Sequence, residues 1–264
     1  MRYETLLSEV LADGEKRTDR TGVGTRSLFG RSLSYSLEQQ RVALVDTKKV
    51  AWKTALRELL WMIRGETNVA GLGPAATIWS AWADSNGDLG PVYGSQWRGT
   101  TRSSWFRHDQ LLATERLLRD APDTRRAVMS TWNVADLDEM ALQPCPVLWQ
   151  FSVREGGLEL AVFQRSADMF LGVPFDLFEA SVLAHLMADR LGIKASRLHW
   201  FAGDVHIYEN HVEQVRTQLV RPPGEVGPQI TLPGAGWEWD SLEVDDFSVL
   251  GYYPWPALHG EVAV

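Results

Sequence analysis

The sequence predicts an α+β fold, a mixed or mostly antiparallel sheet with helices packed on it, in one domain spanning residues 1–264. Three observations carry this. Strand-like and helix-like stretches are intermixed without regular βαβ alternation. Residues 147–153 and 158–164 are apolar runs separated by Glu155-Gly156-Gly157, the pattern of a hairpin. Residues 52–63 and 178–191 are apolar on most faces, as helices inside a core are.

In chain order, residues 3–11 form a short amphipathic helix. Asp19-Arg20-Thr21-Gly22-Val23-Gly24-Thr25 is a polar loop punctuated by glycine, and strand-like alternation follows over 27–37. A buried helix covers 52–63. Asn86-Gly87-Asp88-Leu89-Gly90-Pro91 is turn chemistry. A second amphipathic helix covers 109–118 and stops near Pro122. The hairpin comes next, then the most apolar helix, 178–191, capped by Gly192. A strand covers 197–206, and the remainder is loop-rich with short strands.

A chain of 264 residues buries a sizeable core without disulfides or metals. Its 26 basic and 34 acidic side chains give a net charge of -8, which argues against a general nucleic-acid coat. A small anion is still holdable, because a few local arginines suffice for one phosphate. The one cysteine cannot form an internal disulfide. With no signal-peptide pattern at the N-terminus and no apolar run near the roughly 18 residues a membrane span needs, the expectation is a cytoplasmic protein. Twelve tryptophans point to aromatic walls in a core or pocket without naming a ligand.

Cys145 sits in Gln143-Pro144-Cys145-Pro146, with a proline fixing the backbone on each side. A lone cysteine is ordinarily a small buried hydrophobe. A nucleophilic one needs nearby positive charge, which Arg165 supplies if the hairpin brings it beside Cys145. Arg165 and Ser166 together make a phosphate grip, a fork of donors plus a hydroxyl. Arg20, Arg125 and Arg126 join it only if the fold gathers them; otherwise each is a solvated surface charge. His206 and Tyr208 alternate, so on a strand they share a face and reach one sugar hydroxyl, or they are an ordinary polar strand end. His206 and His211 miss the helical i, i+4 spacing of a zinc pair, so no metal is expected. Glu58, inside an apolar helix, is either a proton carrier with a raised pKa or half of a salt bridge.

These residues fall in motifs that resemble thymidylate synthases. Asp19-Arg20-Thr21-Gly22-Val23-Gly24-Thr25 is similar to that family's phosphate loop. Glu58-Leu59-Leu60-Trp61, Gly87-Asp88-Leu89-Gly90-Pro91-Val92-Tyr93-Gly94, Gln96-Trp97-Arg98 and Asp123-Thr124-Arg125-Arg126 match in order. So do Pro144-Cys145, Gln164-Arg165-Ser166-Ala167-Asp168, Phe170-Leu171-Gly172, and Asp204 with His206, Tyr208, Asn210 and His211; Val262-Ala263-Val264 resembles the closing tail. The resemblance implies that Cys145 attacks C6 of a pyrimidine nucleotide, so that C5 takes a methylene from 5,10-methylenetetrahydrofolate. It implies a homodimer joined through the sheet. Arg20, Arg165 and Ser166 would hold the 5′-phosphate, with Arg125 and Arg126 from the second subunit. His206 and Tyr208 would bond the 3′-hydroxyl, Glu58 and Tyr93 would handle protons, and Asp204 belongs with the catalytic set. Trp79, Leu142, Asp168, Leu171, Gly172, Phe175 and Val264 would form the folate pocket.

Two departures bear on the substrate, and a third, Ala51, bears on the folate. Asp176, in Val173-Pro174-Phe175-Asp176, stands where the family usually has the asparagine that reads uracil. Cytosine reverses the demands of uracil: its N4 amine donates and its N3 accepts. A carboxylate accepts from the amine, and a protonated carboxyl donates to N3. A buried polar mismatch against uracil is worth roughly 10³ to 10⁵ in discrimination. Aspartate here resembles the deoxycytidylate hydroxymethylases, a branch found in some bacteriophages. Pro146 replaces the usual histidine after the nucleophile, and Ala51 replaces a histidine near the folate. The expectation is therefore dCMP, with folate, converted to 5-hydroxymethyl-dCMP; alternatives are a dCMP or CMP methylase or hydroxymethylase, and an ordinary thymidylate synthase acting on dUMP.

Overall fold

The computed structural model describes residues 2–99 and 108–263. Its main sheet has six strands: β1 (Glu15–Arg17), β2 (Thr25–Ser36), β3 (Val128–Ser130), β4 (Pro146–Arg154), β5 (Gly157–Asp168) and β6 (Ala195–Tyr208). They lie in the order β1-β2-β6-β5-β4-β3, antiparallel except for the β5–β6 pair. A small separate hairpin joins β7 (Gln229–Thr231) and β8 (Ser248–Leu250). The expected mixed, mostly antiparallel sheet is what the chain forms.

Strand alternation decides where the core lies. On β5, Leu158, Leu160, Val162 and Gln164 are buried, while Glu159, Ala161 and Phe163 turn the other way. The helices α2 (Trp52–Ile63) and α5 (Gly172–Arg190) fill the core, meeting where Trp52 and Phe178 pack with ring centroids 6.3 Å apart. Phe163 and Phe201 pair in register across β5 and β6 and remain 43% and 44% exposed on the opposite side, a large apolar surface for a sheet face.

Three expectations need correction. The apolar helix begins at Gly172 rather than 178. Pro174 is accommodated because a proline in the first helical turn loses no hydrogen bond, since those N–H groups have no partner inside the helix. The earlier start puts Asp176 on a rigid helix instead of in a loop. A helix α6 (Val212–Leu219) follows the 208–211 motif inside what reads as loop. It is polar and only about two turns long, with only Val212, Val215 and Gln218 buried, too short to fill the window over which a helical period is read. The short elements α3 (Gly94–Arg98) and β3 are also absent from the sequence reading. The other two helices are α1 (Tyr3–Asp13) and α4 (Gln110–Asp120), the latter capped by Asp109, whose side chain accepts from the Leu112 N–H at 2.9 Å.

No helix among the described residues is long and apolar enough to cross a membrane.

Candidate active site

A cavity of about 470 Å³ opens between α2, α5 and the ends of β4, β5 and β6. That is the size class of small-molecule sites. Cys145 lines it, immediately before β4. The backbone around the thiol is held from three sides. The Cys145 N–H donates to the Tyr93 hydroxyl at 3.0 Å, and the Arg165 N–H donates to the Cys145 carbonyl at 2.8 Å. The Arg165 guanidinium donates to the Pro144 and Gln143 carbonyls, each at 2.8 Å. Tyr93 holds φ at +24°, a conformation that costs a side-chain-bearing residue about 1–3 kcal/mol. The hairpin does bring Arg165 beside Cys145. Even so, burial outweighs the attraction of Arg165, and repulsion from Asp176 adds to burial, so the thiol is pushed up to about 11.

Four carboxyl groups share this cavity with the thiol: Glu58 from α2, Asp168 at the end of β5, and Asp176 and Glu179 from α5. Among the described residues Glu58 has no basic partner, so the salt-bridge reading finds no support there. Its Oε1 accepts from the Trp79 indole N–H at 2.7 Å, and its carboxyl hydrogen-bonds that of Glu179. Burial raises Glu58 above the usual carboxylate range and Glu179 well above it. Asp176 is pushed up to about 7, chiefly by burial and further by Glu58 and Asp168, against a lowering hydrogen bond from Gln164.

The orientation of Gln164 is fixed. The Trp200 indole N–H, a donor only, reaches Gln164 Oε1 at 2.8 Å. The Gln164 amide nitrogen therefore points the other way, donating to Asp176 Oδ2 at 2.7 Å and to the Ser166 carbonyl at 3.0 Å.

At the polar end, Arg20, Arg165, Ser166, His206 and Tyr208 line the same cavity. The loop bearing Arg20 is tied by Asp19, which accepts from the Thr21 hydroxyl at 2.6 Å and the Gly24 N–H at 3.1 Å. Gly22 and Gly24 there hold φ of +76° and +81°, which glycine alone adopts freely. His206 and Tyr208 do share a face, ring centroids 5.1 Å apart. Arg125 and Arg126 are exposed just before β3, away from their own chain's cavity. Asp204 does not line it. Its Oδ1 pairs with His206 Nδ1 at 2.8 Å and its Oδ2 accepts from the Ser27 hydroxyl at 2.7 Å, so it orients His206 rather than meeting a ligand. Burial pushes the Asp204 carboxyl up, but those two partners outweigh it and hold it below the usual range.

The remaining wall is apolar: Trp79, Leu142, Leu171, Gly172 and Phe175, with Asp168. Asp168 Oδ1 accepts from the N–H groups of Phe170 and Leu171 at 2.9 and 3.2 Å. The C-terminal tail closes over this end through Gly260, Val262 and Ala263, anchored where His211 Nε2 meets the Glu261 carbonyl at 2.9 Å. Val264 lies outside the described residues. Ala51 is exposed at the start of α2, and Pro146 lines the cavity beside the thiol. No group of three or more His, Cys, Asp or Glu is placed to hold a metal ion among the described residues.

Glu179 escaped the sequence reading. The signal was available: it is three residues after Asp176 in an apolar helix, and i, i+3 positions share a face.

Comparison with known proteins fits this geometry. The thymidylate synthase family profile matches residues 1–264. A thymidylate synthase of Corynebacterium aurimucosum is 46% identical over 263 residues, covering 99% of this chain and 97% of the relative. One from Coxiella burnetii is 44% identical over 263 residues, covering 99% of each. The chain belongs to the thymidylate synthase family, enzymes of one-carbon transfer in nucleotide biosynthesis. Their one-carbon donor, 5,10-methylenetetrahydrofolate, is a cosubstrate of this family. The relatives are named plainly as thymidylate synthases, not as hydroxymethylases.

Proposed function

We propose that this enzyme transfers the methylene of 5,10-methylenetetrahydrofolate to C5 of a cytosine nucleotide, dCMP, releasing 5-hydroxymethyl-dCMP. One observation carries the cytosine reading, the chain of donors from Trp200 through Gln164 to Asp176. Because Trp200 can only donate, Gln164 can only donate onward, and residue 176 must accept on that side. Its other end is what a base meets. An asparagine there would accept with its oxygen from Gln164 and offer its NH₂ to the base, suiting the O4 of uracil. Asp176 offers a second oxygen instead, an acceptor for the N4 amine of cytosine or, protonated, a donor to N3. Its raised pKa near 7 makes both forms accessible at neutral pH.

The other roles follow the same chemistry. Cys145 adds to C6 as its thiolate, and Arg20, Arg165 and Ser166 hold the 5′-phosphate. His206, oriented by Asp204, and Tyr208 bond the sugar 3′-hydroxyl. Glu58 and Tyr93 carry protons. The flat apolar wall of Trp79, Leu142, Leu171, Gly172 and Phe175, with Asp168 and the tail through Val264, suits a pterin ring. A homodimer through the open sheet face is supported by the exposed, register-paired Phe163 and Phe201 and by the exposed Arg125 and Arg126, which would serve the partner's phosphate site.

A second reading, conversion of dUMP to dTMP, is favoured by the names of the relatives at 44–46% identity. The deciding experiment incubates the enzyme with dUMP, dCMP or CMP plus methylenetetrahydrofolate and weighs the products. The cytosine reading expects a dCMP product heavier by a hydroxymethyl group. Preferential turnover of dUMP, with dihydrofolate appearing, would overturn it.

A further inference from the structure

Glu179 is only 8% exposed, yet it lines the cavity, and its Oε1 has no hydrogen-bond partner among the described residues. Its carboxyl meets that of Glu58, whose own Oε1 is occupied by the Trp79 indole N–H at 2.7 Å. Among the described residues neither carboxyl forms an ion pair: the Arg165 guanidinium donates to the Gln143 and Pro144 carbonyls, and Arg20 lies in the exposed loop. Two carboxylates this close in an apolar setting cannot both ionise, so one proton is held between them. Buried polar atoms without partners are rare and take a donor when a site offers one. Glu179 lines the cavity, so a donor bound there is a partner its carboxyl can take.

We propose that Glu179 is a second proton carrier of the site, sharing one proton with Glu58 and taking the proton of the water that adds to the C5 methylene. This rests on the hydroxymethyl reading above. The step balances. After tetrahydrofolate departs, the C5 substituent is an exocyclic methylene, with C6 still bonded to Cys145. The water oxygen bonds to the methylene carbon as one water proton passes to the ionised carboxyl of the pair. The electrons displaced towards the ring expel the Cys145 thiolate from C6 and restore the C5–C6 double bond. The proton lost from C5 and the proton taken from water together supply the two N–H bonds that tetrahydrofolate gains over its methylene form.

Glu179 lies one helical turn beyond Asp176, so the residue that reads the base and the residue that receives the proton are set by the same rigid element. A methylase has no use for a base aimed at water, since hydride rather than water meets the methylene. Glu179 thereby accounts for a hydroxymethyl rather than a methyl product, which Asp176 alone does not.

The test is Glu179→Gln, with Glu179→Asp beside it. Two quantities are measured with dCMP and methylenetetrahydrofolate: tritium released from C5, which precedes the water step, and hydroxymethyl product by mass. In the wild type the two should be equal, one tritium released per product formed. Removing a general base typically costs about 10²–10⁴-fold in its own step. Glu179→Gln should therefore make at least tenfold less product per tritium released, with Glu179→Asp intermediate. The pH profile of product formation should also lose the limb set by the carboxyl pair. Equal loss of both quantities in both variants, or an unchanged ratio with a wild-type pH profile, overturns the role of Glu179 while leaving the hydroxymethyl reading intact. A 5-methyl product from the wild-type enzyme overturns both.

Discussion

Substituting Asp176→Asn inverts the base-reading edge of the cavity, and the size of the effect can be worked from the hydrogen bonds around it. Trp200 to Gln164 at 2.8 Å and Gln164 to Asp176 at 2.7 Å pin one end of the side chain as an acceptor. Asparagine satisfies that end with its carbonyl and turns an NH₂ to the base. Against cytosine this sets donor against the N4 amine, removing one hydrogen bond and leaving two buried donors facing each other. Each unsatisfied buried group costs about 1–3 kcal/mol. Against uracil the same change supplies a donor to O4 and gains a comparable amount. With about 1.4 kcal/mol per tenfold, the ratio of kcat/KM for dCMP over dUMP should fall by about 10²–10⁴. The assay is direct competition between the two nucleotides with limiting methylenetetrahydrofolate, products resolved by mass. A ratio unchanged within threefold would refute the reasoning, because it would mean that residue 176 does not meet the base.

The same variant carries a stability signature. Asp176 is raised to about 7 in the folded protein against about 3.9 in an unfolded chain, so the wild type loses stability as pH climbs from the lower value to the higher. Asp176→Asn lacks this loss, and its melting temperature relative to wild type should rise between pH 4 and pH 8; a pH-independent difference contradicts the assigned burial cost. In the ligand-free enzyme, the Cys145 thiol, raised to about 11, should be alkylated by iodoacetamide at a rate that climbs about tenfold per pH unit throughout pH 7 to 9.5. A plateau below pH 9 would show a thiolate already formed. Trp200→Phe frees the Gln164 amide to turn and should cut discrimination between dCMP and dUMP about tenfold without abolishing turnover; full retention would mean that something else holds the amide. Gly260→Ala brings a Cβ to 2.7 Å from His211 Nε2 and 2.8 Å from Phe170 Cε1, so the tail must lift. The KM for methylenetetrahydrofolate should rise about tenfold while that for the nucleotide changes less; an equal rise in both would place the tail's effect elsewhere.

Much of this architecture was readable in the chain because patterning and burial agree. The helix Trp52–Ile63 falls where its apolar residues fall, and the β4–β5 hairpin where Glu155-Gly156-Gly157 interrupts two apolar runs. What resisted reading has physical causes. Pro174 signals a break to a local rule, yet in a first turn it breaks nothing, so α5 starts six residues early and carries Asp176 with it. The helix Val212–Leu219 is shorter than the window over which a helical period is read. Glu179 sits in a stretch whose neighbours are all core residues, and an acid there has meaning only once α2 brings Glu58 against it. Asp204 alternates with His206 and Tyr208 along β6, but Ser27 and Arg17 claim its carboxylate, which spacing does not reveal. The gathering of Arg20 with Arg165 and Ser166 is a tertiary fact that spacing alone does not contain.

Attack of Cys145 on C6 of a cytosine ring presented to Asp176 can be trapped by mixing the enzyme with 5-fluoro-dCMP and methylenetetrahydrofolate and weighing the intact protein. Fluorine cannot leave C5 as a proton does, so the reaction halts with nucleotide and folate joined to the thiol. We predict a covalent adduct of that combined mass on the peptide bearing Cys145, and far less with 5-fluoro-dUMP. An adduct that forms only with the fluorouracil nucleotide, or none on Cys145 with either, would contradict the claim.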